Sequence, residues 1–254
     1  MLWHDFDLQQ DFLGVEKRRW ILANNESIPI QKSTQASCGF IFKQNNWLLN
    51  LESFYKEVNG ITSSGQGFQN QLEFVKIIGE YEIYGAELLI QKQIYSFTAW
   101  INYTWNTNDY KFEGYIPPQF ANNFEVTNSI AFGTTYDWKN FKIAVGSKWF
   151  TGRPSTIPLS DTPIYNTPDN PEIDYSLPNS TNLDDYFQLN FSTAYTFLVS
   201  EKSKLQLGFS VQNIMNNRNI INQFYRINQN NNGIEEVNTY CLERTPNAFL
   251  RFTF

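Results

Sequence analysis

The sequence predicts an all-β fold, an antiparallel meander of about ten strands laid out as a transmembrane β-barrel. Three observations lead there. Side-chain chemistry alternates with a period of two along most of the chain, which sends successive residues to opposite faces of a strand but would scatter them around a helix. The connections alternate between tight turns and long loops. The alternating runs reach about 10–14 residues, longer than the usual 5–6 of soluble strands and suited to a tilted crossing of a bilayer.

The first run, "LWHDFDLQQ", sets Leu2, His4, Phe6 and Leu8 against Trp3, Asp5, Asp7 and Gln9. Weaker versions follow over Ser33–Phe42, Trp47–Tyr55, Tyr84–Ile90 and Phe97–Trp105. In "VTNSIAFGTTYDW" Val126, Ile130, Phe132, Tyr136 and Trp138 oppose Thr127, Ser129, Ala131, Gly133 and Thr135. Phe141–Trp149 continues the pattern. "YFQLNFSTAYTF" alternates Phe187, Leu189, Phe191, Thr193, Tyr195 and Phe197 with Gln188, Asn190, Ser192, Ala194 and Thr196. "KLQLGFSVQ" sets Leu205, Leu207, Phe209 and Val211 against Gln206, Gly208, Ser210 and Gln212. The closing "NAFLRFTF" places Ala248, Leu250 and Phe252 on one face, Arg251 and Thr253 on the other.

Tight turns are expected near Lys43–Asn46, Lys92–Tyr95, Asp137–Asn140 and Ser200–Ser203. Between them lie long connections at about Gly14–Lys32, Asn59–Glu80, Asn106–Phe124, Thr151–Asp184 and Asn217–Tyr240. Soluble domains rarely carry many structureless loops beyond about 15 residues. Strict alternation gathers the long loops at one end of the meander, as in outer-membrane barrels with short periplasmic turns and long extracellular loops. One face is rich in Phe, Tyr, Leu and Ile, with Trp105, Tyr136, Trp138 and Trp149 near strand ends, where membrane interfaces favour amphipathic rings. The other is mostly Asn, Gln, Ser, Thr, Gly and Ala, which suits a wet lumen. Face chemistry alone also fits a β-sandwich with the apolar face inward; loop alternation and strand length favour the barrel.

Composition narrows the function. Charged residues make up 17% of the chain, aromatic residues another 17%, and the net charge is -6. That balance and the lack of a Lys/Arg cluster argue against nucleic acid as a partner. No apolar stretch of about 18 residues is present, so no helix is expected to cross a bilayer. The start "MLWHDFDLQQ" lacks the pattern of a signal peptide. Cys38 and Cys241 lack metal-ligand spacing; two unpaired thiols are expected, with one disulfide as the alternative. His4 is the only histidine, and a strand places it opposite Asp5 and Asp7 rather than beside them. No phosphate loop, nucleophile elbow or spaced carboxylate pair is present, so the sequence names no catalytic residue, no metal site and no cofactor.

Ligand contact is expected in the long loops, because loops on a rigid scaffold commonly carry binding. "ITSSGQGFQNQ" (Ile61–Gln71) offers Phe68 and Gln69, and the Pro-rich Gly152–Asn182 offers Tyr165 and Tyr175 for stacking on a ligand ring. Lys142, Lys148 and Arg251 are expected to face the lumen, lining an anion path or joining a polar network.

Four motifs, in order along the chain, resemble TonB-dependent outer-membrane receptors. "YEIYGAELLIQKQ" (Tyr81–Gln93), with Gly85 and Glu87, is similar to a family strand, and "KWFTGRPST" (Lys148–Thr156) to a strand exit. "LQLGFSVQNIMNNRNI" (Leu205–Ile220) carries Asn213, Ile214, Met215 and Asn216, and "ERTPNAFLRFTF" (Glu243–Phe254) carries Arg244, Thr245 and Pro246, both resembling the close of the barrel. The resemblance implies an N-terminal plug inside a barrel of about 22 strands that imports scarce nutrients (siderophore, vitamin, glycan or peptide), driven by TonB. A plug-like region, a TonB box and half of the strands are not evident, so the whole of 1–254 resembles the C-terminal part of such a barrel: a fragment, a truncated gene or a piece of a split receptor. Such a part alone is not expected to transport. The implied partners are outer-membrane lipid, the missing N-terminal half and through it TonB, and the barrel-assembly machinery, whose signal the ending Leu250, Phe252 and Phe254 resembles. The implied placement is the outer membrane, long loops outside and C-terminus periplasmic. A self-contained small barrel, as passive channel or structural protein, and a soluble secreted glycan-binding β-sandwich are the alternatives.

Overall fold

A computed structural model describes residues 4–10, 16–23, 29–63, 77–167, 170–228 and 233–254. In chain order the strands begin with β1 (His4–Gln10) and β2 (Glu16–Leu22), a separate antiparallel hairpin. Four long strands follow: β3 (Lys32–Gln44), β4 (Trp47–Thr62), β5 (Ile78–Ile94) and β6 (Phe97–Lys111). After the short β7 (Gln119–Ala121) come β8 (Asn128–Trp138) and β9 (Phe141–Phe150). The next connection holds β10 (Pro154–Ser155), β11 (Ile164–Thr167), β12 (Asn170–Glu172) and β13 (Thr181–Asn182). Then come β14 (Tyr186–Leu198), β15 (Lys204–Gln212), the hairpin β16 (Ile220–Asn228) with β17 (Gly233–Tyr240), and β18 (Thr245–Thr253). Among the described residues there is no helix.

One ten-stranded sheet runs in the order β18-β15-β14-β9-β8-β6-β5-β4-β3, with β7 added to β6. Its main path holds nine long strands, each antiparallel to the next in the chain, the shorter elements lying in the connections. The turns β3–β4, β5–β6 and β8–β9 are two residues long, and β14–β15 spans 199–203. All other connections in the sheet are long. In the first turn Asn45 and Asn46 both take positive φ (50° and 62°), the conformation that matches hairpin twist and that Asn tolerates best. Tyr95 and Lys139 take φ of 50° and 53° in the next two turns, without that advantage.

The described long strands are mostly longer than the pattern suggests at their loop ends: β4 continues past Tyr55 to Thr62 and β6 past Trp105 to Lys111. The alternation inverts there: Val58 and Tyr110, on the otherwise polar face, are buried in an apolar cluster, while Glu57 and Asp109 stand on the opposite face. All five stretches expected as loops are partly strand. Glu16–Leu22 pairs with β1, and the stretch Asn217–Tyr240 contains the β16–β17 hairpin, whose Arg226 and Glu235 form an ion pair at 3.0 Å. The long connection after β9 is folded into the short β10–β13 and β11–β12 ladders.

Register makes the two faces continuous. Phe40 stands opposite Leu51, Leu51 opposite Leu88, and Leu88 opposite Tyr103. Tyr103 continues to Ile130 and Trp149, and Trp149 to Phe187. At the far edge Leu207 meets Leu250 and Leu205 meets Phe252. Most of this apolar face is exposed, whereas the buried apolar cluster is Val58, Ile61, Tyr110, Phe112, Tyr115 and Phe120. A sandwich would bury the apolar face, whereas a membrane wall turns it outward. Tyr55, Tyr84 and Trp105 form a cross-strand band on this face, the latter two edge-on at 6.0 Å, and beyond it the same face turns acidic at Glu57, Glu82 and Asp109. Trp105 therefore lies inside β6 rather than at its end, yet still at the border of the apolar belt.

Phe54, Trp100 and Phe249 are large aromatic residues on the polar face. Each ring covers a glycine of the adjacent strand: Phe54 over Gly85, Trp100 over Gly133 and Phe249 over Gly208. The pairing fills space that glycine leaves on a sheet face. β3 and β18 are the two sheet edges; every residue of β3 is exposed, and nearly every residue of β18.

Candidate functional site

The polar face carries a cleft of about 520 Å³ near its long-loop end. The sheet supplies Thr104 and Asn106 from β6, Ser129 from β8, and Lys148 and Phe150 from β9. Val126 and Arg153 close it from the connections flanking β8 and β9, and Ile220 and Ile221 from β16. The sheet residues share a face because Thr104 stands opposite Ser129 and Ser129 opposite Phe150.

Phe150 is held by a parallel stack with the buried Tyr186, ring centroids 4.4 Å apart and planes 7° apart. The Lys148 ammonium lies 5.1 Å from the Phe150 ring centre. The Tyr186 hydroxyl donates to Gln188, whose amide donates to Asn190 at 2.8 Å, and Asn190 accepts the Asn213 backbone N–H at 3.0 Å. Arg153 is placed by the strand exit "TGRPS". Leu183 N–H donates to the Arg153 carbonyl at 2.9 Å, β10 pairs with β13, and the Arg153 guanidinium donates to the Ile221 carbonyl.

The family-like motifs turn out to be structural fastenings. Gly152 N–H donates to Asp185 at 3.1 Å, and a Cβ at Gly152 would collide with the Leu183 carbonyl. Asn213 is fully buried with φ of 50°; its amide donates to the Asn217 and Leu242 carbonyls at 2.9 and 3.1 Å, and its side-chain oxygen accepts Asn217 N–H at 3.1 Å. Asn216 accepts Arg244 N–H at 2.8 Å, and Arg244 Nε donates to Ile214 O at 3.0 Å. These bonds tie the exit of β15 to the entry of β18.

Phe68 and Gln69 lie outside the described residues. Tyr165 is exposed on β11, and Tyr175 stands edge-on to Tyr225, centroids 6.5 Å apart; neither lines the cleft. Lys142 lies on the polar face at the short-turn end, paired with Asp137 at 3.4 Å. Arg251 sits over the Phe249 ring at 5.8 Å, on the β18 edge. Leu250 and Phe252 share the apolar face, and Phe254 follows with its ring 5.9 Å from Phe252. Of the described residues marked from sequence, only Lys148 lines the cleft. Arg153 and Phe150 were missed, although an arginine in the otherwise uncharged Thr151–Leu159 was a visible signal. Cys38 and Cys241 are both free, Cys241 Sγ lying 3.7 Å from the Tyr186 hydroxyl.

Comparison with solved structures gives the same wall. The ferric citrate transporter FecA, in its unliganded form, superposes with a TM-score of 0.60 at 12% identity, over 88% of this chain and 31% of that one. YddB, an outer-membrane transporter from Escherichia coli, superposes with a TM-score of 0.54 at 12% identity, over 91% of this chain and 33% of that one. The ferripyoverdine receptor of the Pseudomonas aeruginosa outer membrane gives 0.54 at 13% identity, covering 88% and 27%. The chain thus spans about a third of the length of these structures, whose likeness establishes the fold. No curated protein sequence matches. The family described as "TonB dependent receptor-like, beta-barrel" matches residues 10–214, and the chain belongs to this family.

Proposed function

We propose that this chain forms the C-terminal part of the barrel wall of an outer-membrane nutrient receptor, its domain spanning 1–254. In this reading the long loops face the medium and the C-terminus faces the periplasm. A plug and the remaining strands come from outside 1–254, and TonB acts through them; the chain alone does not transport. The imported nutrient is a siderophore, vitamin, glycan or peptide, met first by the long loops and the polar face. Leu250, Phe252 and Phe254 serve as the signal for the barrel-assembly machinery. Lys142, Lys148 and Arg251 face the lumen.

The observation that carries the reading is a nine-strand meander, open at both edges, with its apolar face exposed and its long connections all at one end. Fractionation of the producing cell tests it. The chain should sediment with outer membranes, and a cysteine replacing Ser160 should react with an impermeant maleimide on intact cells. Recovery in the soluble fraction, or labelling only after the outer membrane is opened, would overturn it.

A further inference from the structure

We propose that the cleft of the polar face binds an amphiphilic anion, a carboxylate or phosphate on an apolar skeleton, through Lys148 and Arg153. The proposal rests on reading the chain as a receptor wall and names the ligand class of that wall.

Charge is the first argument. The chain carries 25 acidic residues against 19 basic, yet among the described residues the only charged ones lining the cleft are Lys148 and Arg153. No described carboxylate pairs with either; the ion pairs of this region of charge are made elsewhere, by Lys111, Lys142, Arg218 and Arg226. Glu87, opposite Thr104, and Glu52 beyond it share the polar face but stay outside the cleft, so they push an anion towards β9. Glu125 precedes the lining Val126 and is bonded to Thr127 at 2.9 Å.

Preorganisation is the second. The Ile221 carbonyl engages one nitrogen of the Arg153 guanidinium, whose five N–H donors leave others for an oxyanion, with the planar fork that suits carboxylate and phosphate. Lys148 is a compact charge on a flexible stem and adjusts to the remaining oxygen. The third argument is the rest of the lining. Phe150, locked by Tyr186, and the aliphatic Val126, Ile220 and Ile221 give the non-ionic part of a ligand an apolar wall. Thr104, Asn106 and Ser129 add neutral hydrogen-bonding groups for orientation.

The test uses protein extracted in detergent from the outer membrane, so that any closing strands come with it. Phenyl phosphate, phenylacetate, inorganic phosphate and benzyl alcohol are titrated calorimetrically. At least one of the two aromatic anions should bind, more tightly than inorganic phosphate or the neutral alcohol, and weaken as salt rises. Lys148→Gln should lower its affinity roughly tenfold, the scale of one charge-assisted contact, as should Arg153→Gln, while Lys204→Gln at the opposite end of the sheet leaves it unchanged. Binding of neither aromatic anion, or equal binding by wild type and Lys148→Gln, would overturn the proposal. Membrane fractionation of the same preparation reports the receptor reading separately: a properly inserted protein that fails to bind sinks only the ligand class.

Discussion

Asn213 is a side chain whose identity is set by three demands at once. It must take a positive φ, fill a fully buried place, and satisfy two carbonyls and a backbone N–H. Aspartate lacks the donors and glycine lacks the amide. Asn213→Ala should cost about 2–3 kcal/mol, because it leaves buried partners without hydrogen bonds. The denaturant midpoint in detergent measures it, and loss of the β15–β18 join should appear as protease sensitivity around 213–244. Gly152 is limited by close approach: a Cβ there meets the Leu183 carbonyl, which is backbone and has little room to retreat. Gly152→Ala should therefore destabilise more than a typical surface substitution, by about 2 kcal/mol or more, and displace Arg153 from the cleft. An unchanged midpoint would contradict the geometry.

Turns and loops divide along the same lines as the faces. At the short-turn end, Tyr95 and Lys139 hold left-handed backbone that Asn adopts at lower cost. Tyr95→Asn should stabilise the β5–β6 hairpin by about 0.5–1 kcal/mol, read from the denaturant midpoint. At the long-loop end, burial raises the Glu125 carboxyl above its ordinary range, with nearby Asp109 adding to it and the Thr127 hydroxyl opposing it. The folded carboxyl thus holds its proton more tightly than the unfolded one. Its contribution is fully present below the ordinary carboxylate value and is lost as pH rises through the raised one. Glu125→Gln should raise the midpoint at neutral pH, and that gain over wild type should vanish in mild acid. The two faces were legible in the β14 and β15 runs, where alternation is cleanest. The β16–β17 hairpin was not, because a hairpin lying outside the main sheet adds nothing to its continuous apolar face.

The nine long strands of the sheet impose a rule of parity. In an antiparallel meander of nine, β3 and β18 run in the same direction, so joining them would make a parallel pair. Adding β1 and β2 leaves the number odd, and two copies in a ring bring the same parallel junctions. Antiparallel closure requires an odd number of further strands, since a bilayer tolerates no open edge. Produced by itself, the chain should give no heat-modifiable band on gels, and co-production with a stretch supplying the missing strands should restore it. A heat-modifiable band from the chain alone would mean that β3 and β18 close in parallel.

The sequence by itself determined the long strands of the main sheet, the short-and-long alternation and the outward stripe that ends at Leu250 and Phe252, because period two and turn chemistry are local properties. It could not place Phe54, Trp100 and Phe249 on the polar face, since each is explained only by a glycine one strand away. Nor could it assemble the cleft. Asn106, the stretch from Lys148 to Arg153, and Ile221 are distant in the chain and meet only through register and through loops folding back over the sheet. Alternation tells which face a residue takes; which residues become neighbours is decided by pairing between strands, and that is a property of the tertiary structure.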